Sequence, residues 1–214
     1  MVQKSPARRG RPRAYDPDAA LARAVDAFWD AGFAATSLDD LTVATGMNRP
    51  SLYGAFGDKQ ALYRKALDLY RARTREAIAK TLGTGHRLRI ALRNVYDTAI
   101  SIYLSGDNGA RGCFIIGTAV PQAVTDPDTR AALADALHEI DAGFAARIAR
   151  AQRSGELPAD ADPAKLARLA SATLYSLTIH ARAGEGRAAL EAIADAAIDV
   201  ICGPPKGSRR KTLR

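Results

Sequence analysis

The sequence is poor in the residues that metal, disulfide and membrane chemistry require. Its two cysteines, Cys113 and Cys202, are far apart and have no CxxC or Cys/His spacing around them, so neither a disulfide framework nor a zinc site is indicated. His86, His138 and His180 are scattered without metal-ligand spacing, and no metal or cofactor is expected. No run of eighteen apolar residues occurs, which argues against a membrane span. The first residues, MVQKSPARRGRPR, are basic but lack the apolar stretch of a secretory signal, so the expected compartment is the cytoplasm. Paired-carboxylate motifs, a nucleophile elbow and a P-loop are also missing; no catalytic residue is nominated, and the chain does not read as an enzyme.

What is present is a core and an uneven charge. Of 214 residues, 47% are hydrophobic, enough for a folded interior, and the net charge is +8. Residues 1–14 carry Lys4, Arg8, Arg9, Arg11 and Arg13 without an acid; residues 203–214 carry Lys206, Arg209, Arg210, Lys211 and Arg214, again without one. The body between them is therefore close to neutral, with a cationic arm at each end. Such arms suit a polyanion such as DNA, although basic tails also serve solubility alone.

Strand-like alternation is almost absent and apolar residues recur at three and four, so the fold reads as all-α with about nine helices. Asp16-Pro17 opens the first helix and Gly32 is expected to end it. Ser37 and Asp40 form a capping box for a short helix that stops at Gly46, and Asn48 caps another through Phe56. Asp58 starts a longer helix to about Leu82. A helix from about His86 to Ser105 follows, then a short apolar one over 113–120 stopped near Pro121. Asp126-Pro127 opens a helix to about Arg153, and Asp162-Pro163 opens one ending in ARAGEG. The last helix runs from about Arg187 to Cys202.

The stretch TGMNRPSLYGAFGDK, residues 45–59, carries the functional signal. Two helices meeting at a tight turn need a glycine there and apolar residues on either side, and Leu41, Gly46, Met47 and Leu52 have that spacing. The second helix of such a pair presents its first turn to base edges in the major groove. Asn48, Arg49, Pro50 and Ser51 occupy that end: Arg49 is suited to guanine or to a phosphate, Pro50 to a thymine methyl, and Ser51 to either kind of acceptor. Tyr53 and Lys59 are candidate phosphate contacts. In RRGRPR, residues 8–13, the extended cationic pattern of Arg9, Arg11 and Arg13 resembles an AT-hook core suited to a narrow minor groove; the alternative is diffuse attraction to phosphates.

Through AFWDAGFAATSLDDL, TGMNRPSLYGAFGDK and the following ALY, the chain resembles the tetracycline-repressor (TetR) family of bacterial transcription regulators. The resemblance implies an N-terminal three-helix helix-turn-helix domain (15–58) behind a basic arm (1–14), a larger C-terminal helical ligand-binding and dimerisation domain (59–202), and a basic tail (203–214). Thr42 departs from the usual alanine where the two helices approach, and Gly54-Ala55 replaces a pair of bulky rings. Within 15–60 only Arg23, Arg49 and Lys59 face seven acids, so the arms are expected to matter for affinity.

The second half resembles the family through ARAGEGRAALEAIADAAIDVI, which implies a homodimer through the last two long helices. The implied partners are a double-stranded DNA operator and an unidentified small-molecule effector, with no membrane. An apolar pocket is expected between the helices of 86–153, with Tyr96, Ile100, Tyr103, Phe114, Ile115, Thr118, Phe144 and Tyr175 as candidate lining; for each, ordinary core is the competing reading. Cys113 follows GARG at a helix start, where the helix dipole and Arg111 would lower its thiol pKa, or it is simply a small buried hydrophobe. The reading is a ligand-responsive repressor. Its rival is an architectural DNA binder with little sequence preference.

Overall fold

The computed structural model of the protein describes residues 16–83, 85–106 and 109–204, and all regular structure among them is helical. In chain order the helices are α1 (Pro17–Ala35), α2 (Leu38–Thr45), α3 (Arg49–Phe56), α4 (Lys59–Gly83) and α5 (Leu88–Tyr103). A π-helical turn, Ile115–Ala119, runs into the short α6 (Val120–Gln122), and α7 (Pro127–Arg153), α8 (Pro163–Arg182) and α9 (Arg187–Cys202) complete the fold. The arm residues Arg9, Arg11 and Arg13 and the tail from Lys206 lie outside the described residues.

The caps follow side-chain chemistry. Asp16, Asp126 and Asp162 each precede a proline and accept backbone N–H groups of the first turn they open. Asp58 does the same for Ala61 at 2.7 Å. At the head of α2, the Ser37 hydroxyl accepts from Asp40 N while the Asp40 carboxylate accepts from Ser37 N, closing the capping box.

Three boundaries differ from the sequence-based expectation. The regular part of α1 breaks at Gly32 (φ 80, ψ 166), but one more turn carries Phe33 onto Tyr63, ring centroids 4.9 Å apart. Helix α5 begins at Leu88, two residues later than expected; Arg87 before it supplies no side-chain cap, and Glu156, in the α7–α8 connection, accepts the Leu88 N–H at 2.5 Å instead. Pro121 does not stop the segment before it. It sits in the first turn of α6, where a missing N–H is tolerated, and the preceding turn has widened to a π-helical one.

Helix α4 leaves the three-helix unit and lies between α1 and α7, while α8 packs on α5, α7 and α9. Its α7 seam is laced by polar contacts: Gln60 to Asp126, Arg64 to Asp128, and Arg71 to Asp135 and Glu139. The joint with α1 is aromatic, with Phe28, Trp29 and Phe33 meeting Tyr63, Tyr70 and Phe114.

Candidate nucleic-acid interface and ligand cavity

The turn between α2 and α3 is built as its residues require. Gly46 takes the left-handed conformation (φ 69, ψ 18), and Leu41, Met47, Leu52 and Phe56 are buried beneath it. Arg23 reaches from α1 to donate to the Thr45 carbonyl at 3.2 Å, tying the end of α2 down. Thr42 is half-buried and its hydroxyl turns back to the Asp39 carbonyl, so it is accommodated within α2.

Helix α3 then presents its first turn to solvent. Asn48, Arg49 and Pro50 are exposed, Ser51 is half-buried and Tyr53 is 45% exposed. The Asn48 side chain accepts the Ser51 N–H at 2.9 Å, which commits its oxygen to the cap. Arg49 is ion-paired to Asp39 of α2 at 2.7 Å. Lys59 lies over the Phe33 ring, 4.5 Å from its centroid, and partial burial lowers its pKa against the opposing pull of Asp40. The structure thus groups Asn48, Arg49, Pro50, Ser51 and Tyr53 on one short helix. Lys59 follows at the start of α4.

The acids of this unit are nearly all engaged. Asp16, Asp40 and Asp58 cap helices, Asp26 and Asp30 face Arg111, and Asp39 faces Arg49.

A cavity of about 90 Å³ lies between α4, α5, α7, α8 and the π-helical turn, with no charged side chain in its wall. Tyr103, Ile115 and Tyr175 line it, as the sequence suggests. Tyr96, Ile100, Phe114, Thr118 and Phe144 do not. All five are sealed into packing: Tyr96 donates to the Ala170 carbonyl, Thr118 accepts from Tyr63 and donates to the Phe114 carbonyl, and Phe114 belongs to the aromatic joint. The wall that sequence reasoning missed belongs to α4, where Tyr70, Thr74, Ala77, Ile78 and Thr81 form a stripe at helical spacing. That spacing was the available signal. Burial pushes the Tyr70 and Tyr103 hydroxyls well above their ordinary pKa, so the lining stays neutral.

Cys113 also lines the cavity, and its electrostatics run against the reactive-thiol expectation. Burial raises its pKa, outweighing the hydrogen bonds it receives. Arg111 is turned away from it to Asp26 and the Trp29 ring. The Cys113 backbone N–H is held by Thr178 at 3.0 Å.

One residue before Cys113, the wall of the cavity becomes the joint to α1. Trp29 Nε1 donates to the carbonyls of Arg111 and Gly112, both at 3.2 Å, and Arg111 covers the indole. Arg182, at the end of α8, donates to the Arg111 carbonyl at 3.1 Å. No helix among the described residues is long and apolar enough to cross a membrane.

Comparison with known proteins assigns both halves. Residues 20–66 match the family model described as bacterial regulatory proteins, tetR family, and residues 89–197 match a tetracyclin repressor-like C-terminal domain. The HTH-type transcriptional repressor ComR of Escherichia coli is 32% identical over 86% of this chain and 86% of its own length. An uncharacterized HTH-type transcriptional regulator of Bacillus subtilis, YezE, is 28% identical over 90% and 99%. Among solved structures, a cysteine mutant of the TetR family regulator CifR, complexed with 26-base-pair operator DNA, superposes with a TM-score of 0.76 at 33% identity, covering 88% of this chain and 98% of that one.

Proposed function

The chain belongs to the TetR family of bacterial DNA-binding transcriptional regulators, and on that premise we propose that it is a homodimeric repressor released from a palindromic operator by a small, neutral, lipophilic or aromatic molecule. The observation that carries the ligand response is the adjacency of cavity and joint: Cys113 lines the cavity, while Arg111 and Gly112 hold Trp29 of α1. A molecule that moves the cavity wall therefore bears on the seat of the DNA-reading unit. An effector acts to the extent that it favours the arrangement in which the two α3 helices no longer match successive major grooves.

The uncharged, largely apolar wall favours a neutral effector, with the hydroxyls of Tyr103, Tyr175, Thr74 and Thr98 available to orient it. Dimerisation is supported by apolar stripes left exposed on the last two helices. Leu169, Ala172, Ile179 and Ala183 follow one face of α8 and its end; Ala189, Ala192, Ala196 and Val200 follow one of α9. On DNA, α3 enters the major groove through Asn48, Arg49, Pro50 and Ser51, with Tyr53 and Lys59 toward phosphates and Arg9, Arg11 and Arg13 toward the adjacent minor groove.

The test is selection from a random duplex library at near-physiological salt, followed by release from the selected site with neutral aromatic and with charged small molecules. Enrichment of a palindrome and release by neutral compounds is the expected result. Binding without enrichment would point to an architectural protein and overturn the reading.

A further inference from the structure

Arg49 leaves the first turn of α3 with one edge of its guanidinium already occupied. Its Nε and Nη2 both donate to a single oxygen, Oδ1 of Asp39, at 3.2 and 2.7 Å. Asp39 stands in the first turn of α2, and the two side chains are 55% and 75% exposed for Arg49 and Asp39. A guanidinium offers two edges for bidentate contact, the side-on pair Nε/Nη2 and the end-on pair Nη1/Nη2. Asp39 takes the first. Among the described residues no hydrogen bond holds Nη1, so the end-on fork is left without a protein partner on that side.

We propose that Asp39 is a positioning residue for base readout: it holds the side-on edge of Arg49 so that the end-on fork meets O6 and N7 of a guanine in each operator half-site. This rests on the reading of α3 as the helix that enters the major groove. Asp39 also offsets the charge of Arg49, so Arg49 gains little as a sequence-blind phosphate clamp. Among the acids of the three-helix unit, Asp39 alone is ion-paired to a side chain on α3; the capping acids and the pair at Arg111 are spent elsewhere. An exposed pair of this kind contributes little to stability, so Asp39 can be replaced without loss of the fold.

The experiment is library selection with the full-length protein and its R49A, D39A, D39N and D39A/R49A variants, together with binding to an unrelated duplex across a salt series. The wild type is expected to enrich a palindrome containing a guanine that R49A ceases to prefer, by about tenfold or more. D39A should weaken the same preference several-fold, bind unrelated duplex more tightly and steepen the salt slope by about one. D39N keeps an acceptor oxygen and should retain most of the preference. In the R49A background, removing Asp39 should leave the base preferences unchanged. An intact guanine preference in D39A, or an effect of Asp39 on base preference that persists without Arg49, overturns the inference while leaving the DNA-reading function in place. Failure of the wild type to enrich any sequence overturns both.

Discussion

Arg111 sits over Trp29, its guanidinium carbon 3.8 Å from the ring centroid, while the indole N–H is shared between the carbonyls of Arg111 and Gly112. Trp29→Phe keeps an aromatic ring but removes the indole donor from both carbonyls, leaving that of Arg111 with Arg182 alone. The expected cost is about 1–3 kcal/mol, read by urea unfolding. A variant as stable as the wild type would show that the shared hydrogen bond carries no weight at this joint.

Gly112 and Gly54 should respond to alanine in opposite directions. Gly112 has φ 65, and an added Cβ would lie 3.1 Å from Arg182 Cγ and 3.2 Å from its Nε. Gly112→Ala is expected to destabilise by about 1–2 kcal/mol from the backbone alone. Gly54 lies within α3 with open space where a Cβ would go, so Gly54→Ala is expected to stabilise by about 0.5–1 kcal/mol. Thermal melts of the two variants decide both signs.

The α4–α7 seam should weaken in acid. The Arg71 hydrogen bond and charge hold the Glu139 carboxyl below its ordinary value of 4.5. A carboxyl depressed in the folded state contributes its stabilisation fully above its unfolded pKa, and the contribution is lost as pH falls through the depressed folded value. The stability gap between the wild type and Glu139→Gln should therefore be full at neutral pH and shrink as pH falls below the ordinary carboxyl value of 4.5. Denaturant midpoints across pH test it; a gap independent of pH would exclude ionisation of Glu139 as its source.

Both thiols should be slow to react. Burial pushes Cys202 up to about 11 and raises Cys113 as well, so neither is appreciably thiolate at pH 7. Maleimide labelling followed by mass spectrometry should be at least about tenfold slower in the native protein than in urea. Rapid native labelling of Cys113 would contradict the buried, neutral thiol described above.

Ile179 is 61% exposed on α8, so Ile179→Glu should leave the chain folded and split the proposed dimer. Sedimentation is expected to show a monomer whose operator affinity falls with it. An unchanged dimer would place the interface elsewhere.

Some of these features were legible in the residues and others were not, for reasons of range. Asp16, Asp58, Asp126 and Asp162 act on amides two to three positions away, so the helix starts they cap could be read directly. Gly46 and the apolar residues around it specify their turn in the same local way. The start of α5 could not be read so, because its cap is Glu156, 68 residues distant from Leu88. Phe114 and Tyr103 show the limit most clearly. Both are large, aromatic and close in sequence, yet one belongs to the aromatic joint and the other to the cavity, and sequence spacing alone does not separate those fates.

By itself, the sequence determined what short-range chemistry can determine: an all-helical chain, the local side-chain caps that start most of its helices, and the helix-turn-helix. Tertiary structure decided which side chains surround a void and which fill space, because that depends on how α4, α5, α7 and α8 meet. It also decided the partners of the charges, setting Asp39 against Arg49 and Arg111 against Asp26. Ion pairs are chosen by distance in space, and residues 85 positions apart become neighbours only once the helices have packed.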